Sequence, residues 1–153
     1  MRALEHKVPP PVVAVLIAAA MWGVSSLPPT LPLVPAIRHA AVAALAIAGV
    51  TFDLLGLLAF RRSKTTINPL KPSKASALVT GGIYRITRNP MYLGLALLLT
   101  AWAVHLSSLW PFVGPVLLVL YLNRFQIAPE ERTLNSLFGE EYATYAARVR
   151  RWL

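Results

Sequence analysis

Residues 36–60 read AIRHAAVAALAIAGVTFDLLGLLAF, and only Arg38, His39 and Asp53 interrupt their apolar character. A helix of about 20 such residues crosses a hydrocarbon core of roughly 30 Å, because each residue adds about 1.5 Å. Three shorter apolar runs, 12–27, 91–106 and 109–125, are bordered by serine or proline. Because every backbone polar group in lipid needs an internal partner, spanning segments are helical. The sequence therefore predicts an all-α polytopic membrane protein with four transmembrane helices.

The overall composition supports this prediction. Of the 153 residues, 56% are hydrophobic and only 14% are charged, and the mean hydropathy is +0.58. Soluble domains are about one quarter charged. The chain has no cysteine, which excludes a disulfide scaffold, a thiol nucleophile and a thiolate metal site. An ordinary soluble enzyme and a disordered tail are excluded as well.

The positive charge is unevenly distributed. The chain has fifteen Lys and Arg residues and six Asp and Glu residues, which gives a net charge of +9. Apart from Arg38, the Lys and Arg residues lie before residue 8, within 61–88 and in the last quarter of the chain, whereas the connectors 26–35 and 105–111 contain none. This alternation follows the positive-inside rule and places both termini in the cytoplasm. The charge thus indicates membrane orientation rather than nucleic-acid binding, and we expect a bacterial inner (plasma) membrane protein.

The first apolar run also resembles the core of a secretory signal peptide, because basic residues precede it. Such peptides end at a small-residue A-x-A cleavage site. No convincing site of this kind follows the run, and we expect it to be retained as the first span.

Two polar segments, 76–94 and 126–153, are predicted to form a site at the cytoplasmic face. In the first, Gly81 and Gly82 permit a tight turn with positive φ. Pro90 suits the first turn of the third span, where a missing N–H has no cost. The free N–H groups of that turn can attract a ligand carboxylate. A plain loop-to-helix junction explains the same pattern.

In the second segment, Glu130 and Glu131 suit the first turn of a helix, where acidic side chains favour the helix dipole. Gly139 is expected to break this helix. Four further side chains share one helical stripe that would lie in the membrane interface above the site. They are Tyr142, Tyr145, Val149 and Trp152.

Asp53 is the unusual residue of the apolar runs. An ionisable group inside a span is costly and is functional or paired, so both a structural hydrogen bond and a role in chemistry remain open. His39 and His105 have no second ligand at metal spacing, and no HExxH, P-loop or Ser-His-Asp pattern occurs. We therefore expect no metal site.

The stretches LVTGGIYRITRNPMYLG (78–94) and EERTLNSLFGEEYATYAARVRRWL (130–153) resemble the isoprenylcysteine carboxyl methyltransferase family and the related phospholipid methyltransferases. The family patterns are TSGxYxxxRHPxYxG and EExxLxxxFGxEYxxY. The resemblance covers the half of the chain after residue 78, and residues 12–60 carry no such signature.

The resemblance implies an integral membrane enzyme that binds S-adenosyl-L-methionine where the helices meet the cytoplasm. It also implies that 126–153 covers the cofactor. The positions that it implies for cofactor binding are Leu78, Val79, Tyr84, Asn89, Pro90, Met91, Tyr92 and Glu130. Catalysis needs little more than positioning when the acceptor is already a nucleophile. If the acceptor is an amine, Glu131 or Asp53 is expected to assist its deprotonation.

Two positions depart from the family. Asn89 stands where the family has a histidine, although an amide also donates and accepts hydrogen bonds. Gln126 stands where the carboxyl methyltransferases have a substrate-binding arginine, and the nearest arginine is Arg124. Because a neutral amide cannot replace a fixed cation, a carboxylate substrate is in question.

The sequence thus predicts one membrane-embedded domain, 1–153, that transfers a methyl group to a lipophilic isoprenoid or lipid-like acceptor. Two alternatives remain open. One is a nicotinamide-dependent membrane reductase, since sterol reductases are similar in their C-terminal half. The other is a small four-helix transporter or assembly subunit without catalysis, which would explain the helices and Asp53 but not the polar motifs.

Overall fold

The computed structural model describes residues 7–63 and 77–153, and within them the secondary structure is helical. The described residues contain five α-helices, two 3-10 turns and one π turn. The α-helices are α1 (Pro10–Val24), α2 (Pro35–Arg62), α3 (Pro90–Leu106), α4 (Val113–Leu122) and α5 (Ala128–Arg148). 3-10 turns lie at Gly82–Arg85 and Trp110–Phe112, and a π turn lies at Asn123–Ile127. The prediction of an all-α protein is confirmed for these residues.

Two stretches of helix are long and apolar enough to cross a membrane: α2, with 28 residues, and the continuous helical run Trp110–Arg148, with 39. The apolar helices α1 and α3 are shorter, with 15 and 17 residues. At 1.5 Å per residue these two reach about 22 and 26 Å, which is less than the roughly 30 Å of the hydrocarbon core. Two of the four predicted crossings are therefore supported by length, and the four-span topology stays a prediction.

Helix α2 packs along α3 at glycines. A Cβ on Gly49 would lie 2.9 Å from Leu98 Cγ, and one on Gly94 would lie 2.7 Å from the Gly49 carbonyl oxygen and would collide with the Asp53 carboxylate. A Cβ on Gly56 would lie 2.8 Å from Met91 Cγ. In lipid there is little hydrophobic force between helices, so small residues stabilise association by allowing close backbone approach. These contacts bring Asp53 against α3.

Arg38, which interrupts the longest apolar run, lies near the start of α2. Its Nη1 donates a hydrogen bond to Ser107 Oγ at 3.1 Å. Ser107 caps the C-terminal end of α3 in a left-handed conformation, with φ at 52°. Because the C-terminal end of a helix carries partial negative charge, a cation is favourable there. Arg38 thus has a structural partner at the end of α3.

The segment after α4 agrees with the prediction at its start and differs from it at its end. Glu130 and Glu131 lie in the first turn of α5, as predicted, and the π turn connects α4 directly to this helix. The Ala128 N–H bonds to the Asn123 carbonyl, the longer spacing of a π turn. At the other end α5 stops at Arg148 and Val149 is extended, so the predicted helical stripe through Val149 and Trp152 is wrong beyond Arg148.

The predicted break at Gly139 is confirmed. Its φ of 48° and ψ of −119° are non-helical inside α5. A residue with a side chain rarely adopts this conformation, which glycine tolerates. The kink redirects the second half of α5, where Tyr142 is buried and Tyr145 is half-buried.

Replacement of Gly94 tests the close packing of α2 and α3. We expect Gly94→Ala to lower the free energy of unfolding by about 1–3 kcal/mol, the usual cost of overpacking, because the new methyl group meets the Gly49 backbone. The measurement is thermal unfolding of the purified protein in detergent. Gly23→Ala is the matched control, since a Cβ there has no atom within 4 Å. An equal loss in both variants would contradict the packing.

Candidate active site

A cavity of about 470 Å³ lies where α2, α3 and α5 meet the turn before α3. Its walls come from both ends of the sequence, since α1 contributes its first residues and α5 contributes four of the nine polar side chains. The lining residues are Pro10, Pro11, Asp53, Leu54, Leu57, Phe60, Ala77, Leu78, Val79, Tyr84, Arg88, Asn89, Met91, Tyr92, Leu95, Ile127, Glu130, Glu131, Leu134, Tyr142 and Tyr145.

The centre of the polar wall is the contact between Tyr92 and Glu130. The Tyr92 hydroxyl donates to Glu130 Oε1 at 2.5 Å, across 38 residues of sequence. Tyr92 projects from the first turn of α3 and is buried, whereas Glu130 lies in the first turn of α5. A hydrogen bond to a carboxylate is short and strong. This bond fixes the distance between the two polar motifs that the sequence separates.

Glu130 lies beyond the apolar stretch 109–125, in the polar continuation of the helix. Burial raises the pKa of its carboxyl from 4.5 to about 7. The hydrogen bond from Tyr92 lowers this pKa because it favours the carboxylate. The negative charge of the neighbouring Glu131 raises it further. The group therefore changes charge near neutral pH.

Glu131 takes part in a network of charged groups next to this pair. Arg151 donates to its carboxylate through Nη2 at 2.6 Å and through Nε at 3.1 Å. Arg88 Nη2 lies 3.3 Å from Glu131 Oε1, and Arg88 Nη1 donates to the Tyr142 hydroxyl at 3.0 Å. The hydrogen bonds to Glu131 raise the pKa of Arg151 above its ordinary value. The network joins α5 to the turn before α3.

That turn, 78–89, forms another wall. Gly82 has a φ of +60° and begins the 3-10 turn that contains Tyr84, as the glycine motif predicts. Tyr84 is buried, its ring meets Phe60 edge to face at 5.5 Å, and its carbonyl accepts a hydrogen bond of 2.7 Å from the Tyr145 hydroxyl. Burial raises the pKa of Tyr84 far above its ordinary value, so its hydroxyl is neutral.

Asn89, the departure from the family histidine, is held by the other end of the chain. Its Nδ2 donates to the Arg151 carbonyl at 2.8 Å, and its backbone N–H donates to Thr87 Oγ1 at 3.2 Å. Asn89 and Met91 line the cavity, whereas Pro90 does not. Pro90 occupies the first turn of α3, as predicted, and lies next to Gly56 of α2.

The two predicted substrate positions lie outside the cavity. Gln126 is fully buried, and its Nε2 donates to the Val8 carbonyl at 2.9 Å. Arg124 is exposed, with its guanidinium 5.6 Å from the centre of the Phe125 ring. The π turn sets these directions by shifting the register of the helix between residues 123 and 127. Neither side chain reaches the site in this structure.

The two candidate bases differ in their surroundings. Asp53 and Glu131 both line the cavity, but Glu131 is bound by two arginines. Asp53 lies over Gly94, and within 7–63 and 77–153 no hydrogen-bond donor to its carboxylate is found. Within the same residues no group of three His, Asp or Glu side chains is arranged to hold a metal ion.

Sequence reasoning missed the walls contributed by α1 and α2. Pro10, Leu54, Leu57 and Phe60 line the cavity, but Pro10 precedes the first apolar run, the other three belong to the second, and neither region carries a motif. By contrast, the two sequence motifs contain Arg88 and Tyr84 of the turn and Tyr142 and Tyr145 of α5, which also line the cavity. The 3.6-residue periodicity of a helix shows which residues share a face. It does not show which other element packs against that face.

The sequence profile of the phospholipid methyltransferase family matches residues 37–141, which is more than half of the chain. An uncharacterized protein of Haemophilus influenzae is 48% identical over 63 residues, which is 41% of this chain and all of that protein. Protein-S-isoprenylcysteine O-methyltransferase B of Arabidopsis thaliana is 29% identical over 108 residues, 66% of this chain and 55% of its own.

Protein-S-isoprenylcysteine O-methyltransferase of Schizosaccharomyces pombe is 37% identical over 83 residues, 52% of this chain and 34% of its own. The chain thus spans about half of the Arabidopsis relative and about a third of the yeast relative. No solved structure gives a significant match.

Loss of the Tyr92 hydroxyl tests the electrostatics of the site. Because the hydrogen bond from Tyr92 favours the charged form of Glu130, we expect Tyr92→Phe to raise the pKa of Glu130 above about 7. Carbon-13 NMR of labelled glutamate side chains measures the titration, and Glu130→Gln assigns the signal. Tyr121→Phe, outside the cavity, is the control. An unchanged or lowered pKa in Tyr92→Phe contradicts the assignment.

Proposed function

Because the chain belongs to the phospholipid methyltransferase family, we propose that it transfers a methyl group from S-adenosyl-L-methionine to a lipophilic acceptor at the cytoplasmic membrane face. Membership of the family supports a methyltransferase of the membrane-embedded kind. The donor, the acceptor and the residues that bind them are the proposal. The observation that carries it is the shared cavity of Tyr92 and Glu130, in which residues from both halves of the family signature meet.

The polar wall suits the proposed cofactor. The volume of about 470 Å³ lies within the range of about 300–1,000 Å³ usual for small-molecule sites. Carboxylates at Glu130 and Glu131 suit an ammonium group and ribose hydroxyls. Arg88 Nε is buried and lacks a hydrogen-bond partner among the described residues, which leaves a donor for a ligand carboxylate. The rings of Tyr84 and Tyr92 provide surfaces on which a heterocycle packs and a cation is attracted.

The remaining residues of the proposed cofactor site frame this wall. Leu78 and Val79 contribute apolar surface from the turn before α3, and Asn89 and Met91 contribute to the first turn of that helix. Pro90 supports the turn from behind, where it lies against α2.

S-adenosyl-L-methionine supplies an activated methyl group on a sulfonium when it is bound. The chain therefore has to orient two reactants and exclude water, and well-oriented reactants account for a large part of a barrier. Glu130 and Tyr92 would fix the donor side, while the aromatic and aliphatic wall keeps the cavity dry.

The acceptor is proposed to enter from the lipid. Pro10, Leu54 and Leu57 form an apolar wall at α1 and α2, and Leu54 is 53% exposed on the outer surface of α2. A side chain that both lines the cavity and faces outward marks an opening between the helices. A lipophilic tail can lie along this opening with its polar end next to the cofactor.

The acceptor group is proposed to be an amine or another nucleophile rather than a carboxylate. Gln126 is neutral, fully buried and bound to Val8, so it offers no fixed cation to an anionic acceptor. An amine has to lose a proton, and the Asp53 carboxylate in the cavity wall is the proposed acceptor of that proton. Glu131 is the weaker candidate because two arginines already bind it.

We also propose that residues 1–153 form one membrane-embedded domain with four spans. The basic segments then face the cytoplasm, where the soluble donor is present. The cavity lies at the basic end of α2, which ends in Arg61 and Arg62, consistent with a soluble donor on one side and lipid on the other.

Neutralisation of Glu130 tests the cofactor site. We expect Glu130→Gln to weaken binding of S-adenosyl-L-methionine by about 10- to 100-fold, because a charge-assisted hydrogen bond contributes about 1.5–3 kcal/mol. Glu130→Ala should abolish methyl transfer while the protein remains expressed. Equilibrium dialysis with labelled donor measures binding, and transfer of label into a total lipid and isoprenoid extract measures activity.

The matched control is Glu140→Gln, because Glu140 is exposed and lies outside this cavity. Undiminished turnover in Glu130→Ala would contradict the proposed cofactor site. Dialysis with NADPH in parallel separates the alternatives: binding of NADPH alone indicates a reductase, and binding of neither compound indicates a non-catalytic protein.

A bulky residue at Leu54 tests the lateral opening. We expect Leu54→Trp to lower transfer of label into the lipid extract at least about tenfold, because one side chain in a well-packed site readily costs more than about 1.4 kcal/mol. Donor affinity should stay within about twofold, since Leu54 belongs to the α2 wall, whereas the proposed cofactor-binding carboxylate of Glu130 belongs to α5. Leu58→Trp is the control, because Leu58 is 44% exposed but does not line the cavity. Equal losses in both variants contradict the opening.

A further inference from the structure

The last five residues, 149–153, fold back from α5 onto the cavity walls. We call this segment the clasp. Its backbone accepts hydrogen bonds from the turn before α3: the Arg150 carbonyl from the Arg88 N–H at 3.0 Å, and the Arg151 carbonyl from Asn89 Nδ2 at 2.8 Å and from Thr87 Oγ1 at 3.3 Å. The clasp therefore holds the turn from which the first residues of α3 enter the cavity.

The side chain of Arg151 binds a second wall. Two of its nitrogens hold the Glu131 carboxylate, at 2.6 and 3.1 Å. A guanidinium that presents two parallel donors to a carboxylate fixes orientation as well as distance. Arg88, the other cation near Glu131, is already engaged with Tyr142, so Arg151 supplies the stronger restraint.

The clasp binds a third element at the π turn. Trp152 Nε1 donates to Asn123 Oδ1 at 3.2 Å, and Arg151 Nη1 lies 3.5 Å from the same oxygen. The π turn ends at Ile127, which lines the cavity. One short segment thus connects the turn before α3, the π turn and the start of α5.

We propose that Arg151 is a positioning residue for cofactor binding. It acts through Glu131 and Asn89 and does not itself line the cavity. The inference rests on the proposed function, because it assumes that the cavity holds S-adenosyl-L-methionine. Its side chain orients the carboxylate at Glu131, and its carbonyl orients the Asn89 amide. Both of these groups line the cavity, so the bound donor meets walls that are fixed before it arrives, and preorganised sites bind more tightly.

The first test separates positioning from general stability. We expect Arg151→Gln to raise the KM for S-adenosyl-L-methionine about tenfold, the effect of losing a charge-assisted pair of hydrogen bonds, and to change kcat by less than about threefold, because the interaction serves donor binding rather than the transition state. A variant that is only less stable has fewer active molecules, which lowers kcat at an unchanged KM.

Two further variants sharpen this test. Arg151→Lys should restore part of the donor affinity, because it keeps the charge but not the two-donor geometry. Arg148→Gln removes the same charge from an exposed side chain outside the clasp and should behave as wild type. If Arg148→Gln raises KM as much as Arg151→Gln does, net charge rather than position is responsible and the inference fails.

A double-mutant cycle tests the route through Glu131. If Arg151 acts through this carboxylate, the effect of Arg151→Gln on donor affinity shrinks once Glu131→Gln is present. Full additivity, or unchanged donor affinity in Arg151→Gln alone, overturns the role of Arg151 and leaves the proposed function standing. If the wild-type protein itself fails to bind S-adenosyl-L-methionine, the proposed function falls and this inference falls with it.

Discussion

The hydrogen bond from Tyr92 to Glu130 is the contact on which the site depends. It joins the first turn of α3 to the first turn of α5 and holds their polar side chains around one cavity. A buried carboxylate is costly without a donor, so the bond stabilises a polar wall that would otherwise be unfavourable beside lipid. It also keeps the Glu130 carboxyl from an even higher pKa, which leaves this group chargeable near neutral pH.

That bond requires that the helices approach closely, and the helices of this chain have little polar surface with which to attract each other. Glycines provide the approach. Gly49, Gly56 and Gly94 leave room where α2 meets α3, and van der Waals packing then takes the role that hydrophobic burial has in water. The same packing turns Asp53 toward the cavity. This fold thus places an ionisable side chain of an apolar run in the wall of the cavity.

The candidate site could be predicted largely because its residues are carried by two local motifs. Seven of the eight positions expected to bind the cofactor line the cavity, and the eighth, Pro90, sits behind it. The placement of residues departs from expectation where a register shift or a change of chain direction intervenes. The π turn directs Gln126 away from the cavity toward Val8, and the end of α5 at Arg148 frees the residues that bind Glu131 and Asn89. Neither event has a signature in hydrophobic spacing.

The amino-acid sequence by itself determined the helical character of the chain, the uneven placement of its positive charge and the residues of both polar motifs. Each of these follows from local chemistry: lipid demands internally paired backbones, and glycine or proline decides where a helix turns. Only the tertiary structure decided that the two motifs share one hollow, that α1 and α2 supply its apolar wall and that the final residues brace it. Those facts depend on contacts between positions far apart in the chain, and the pattern along one segment carries no record of what that segment meets.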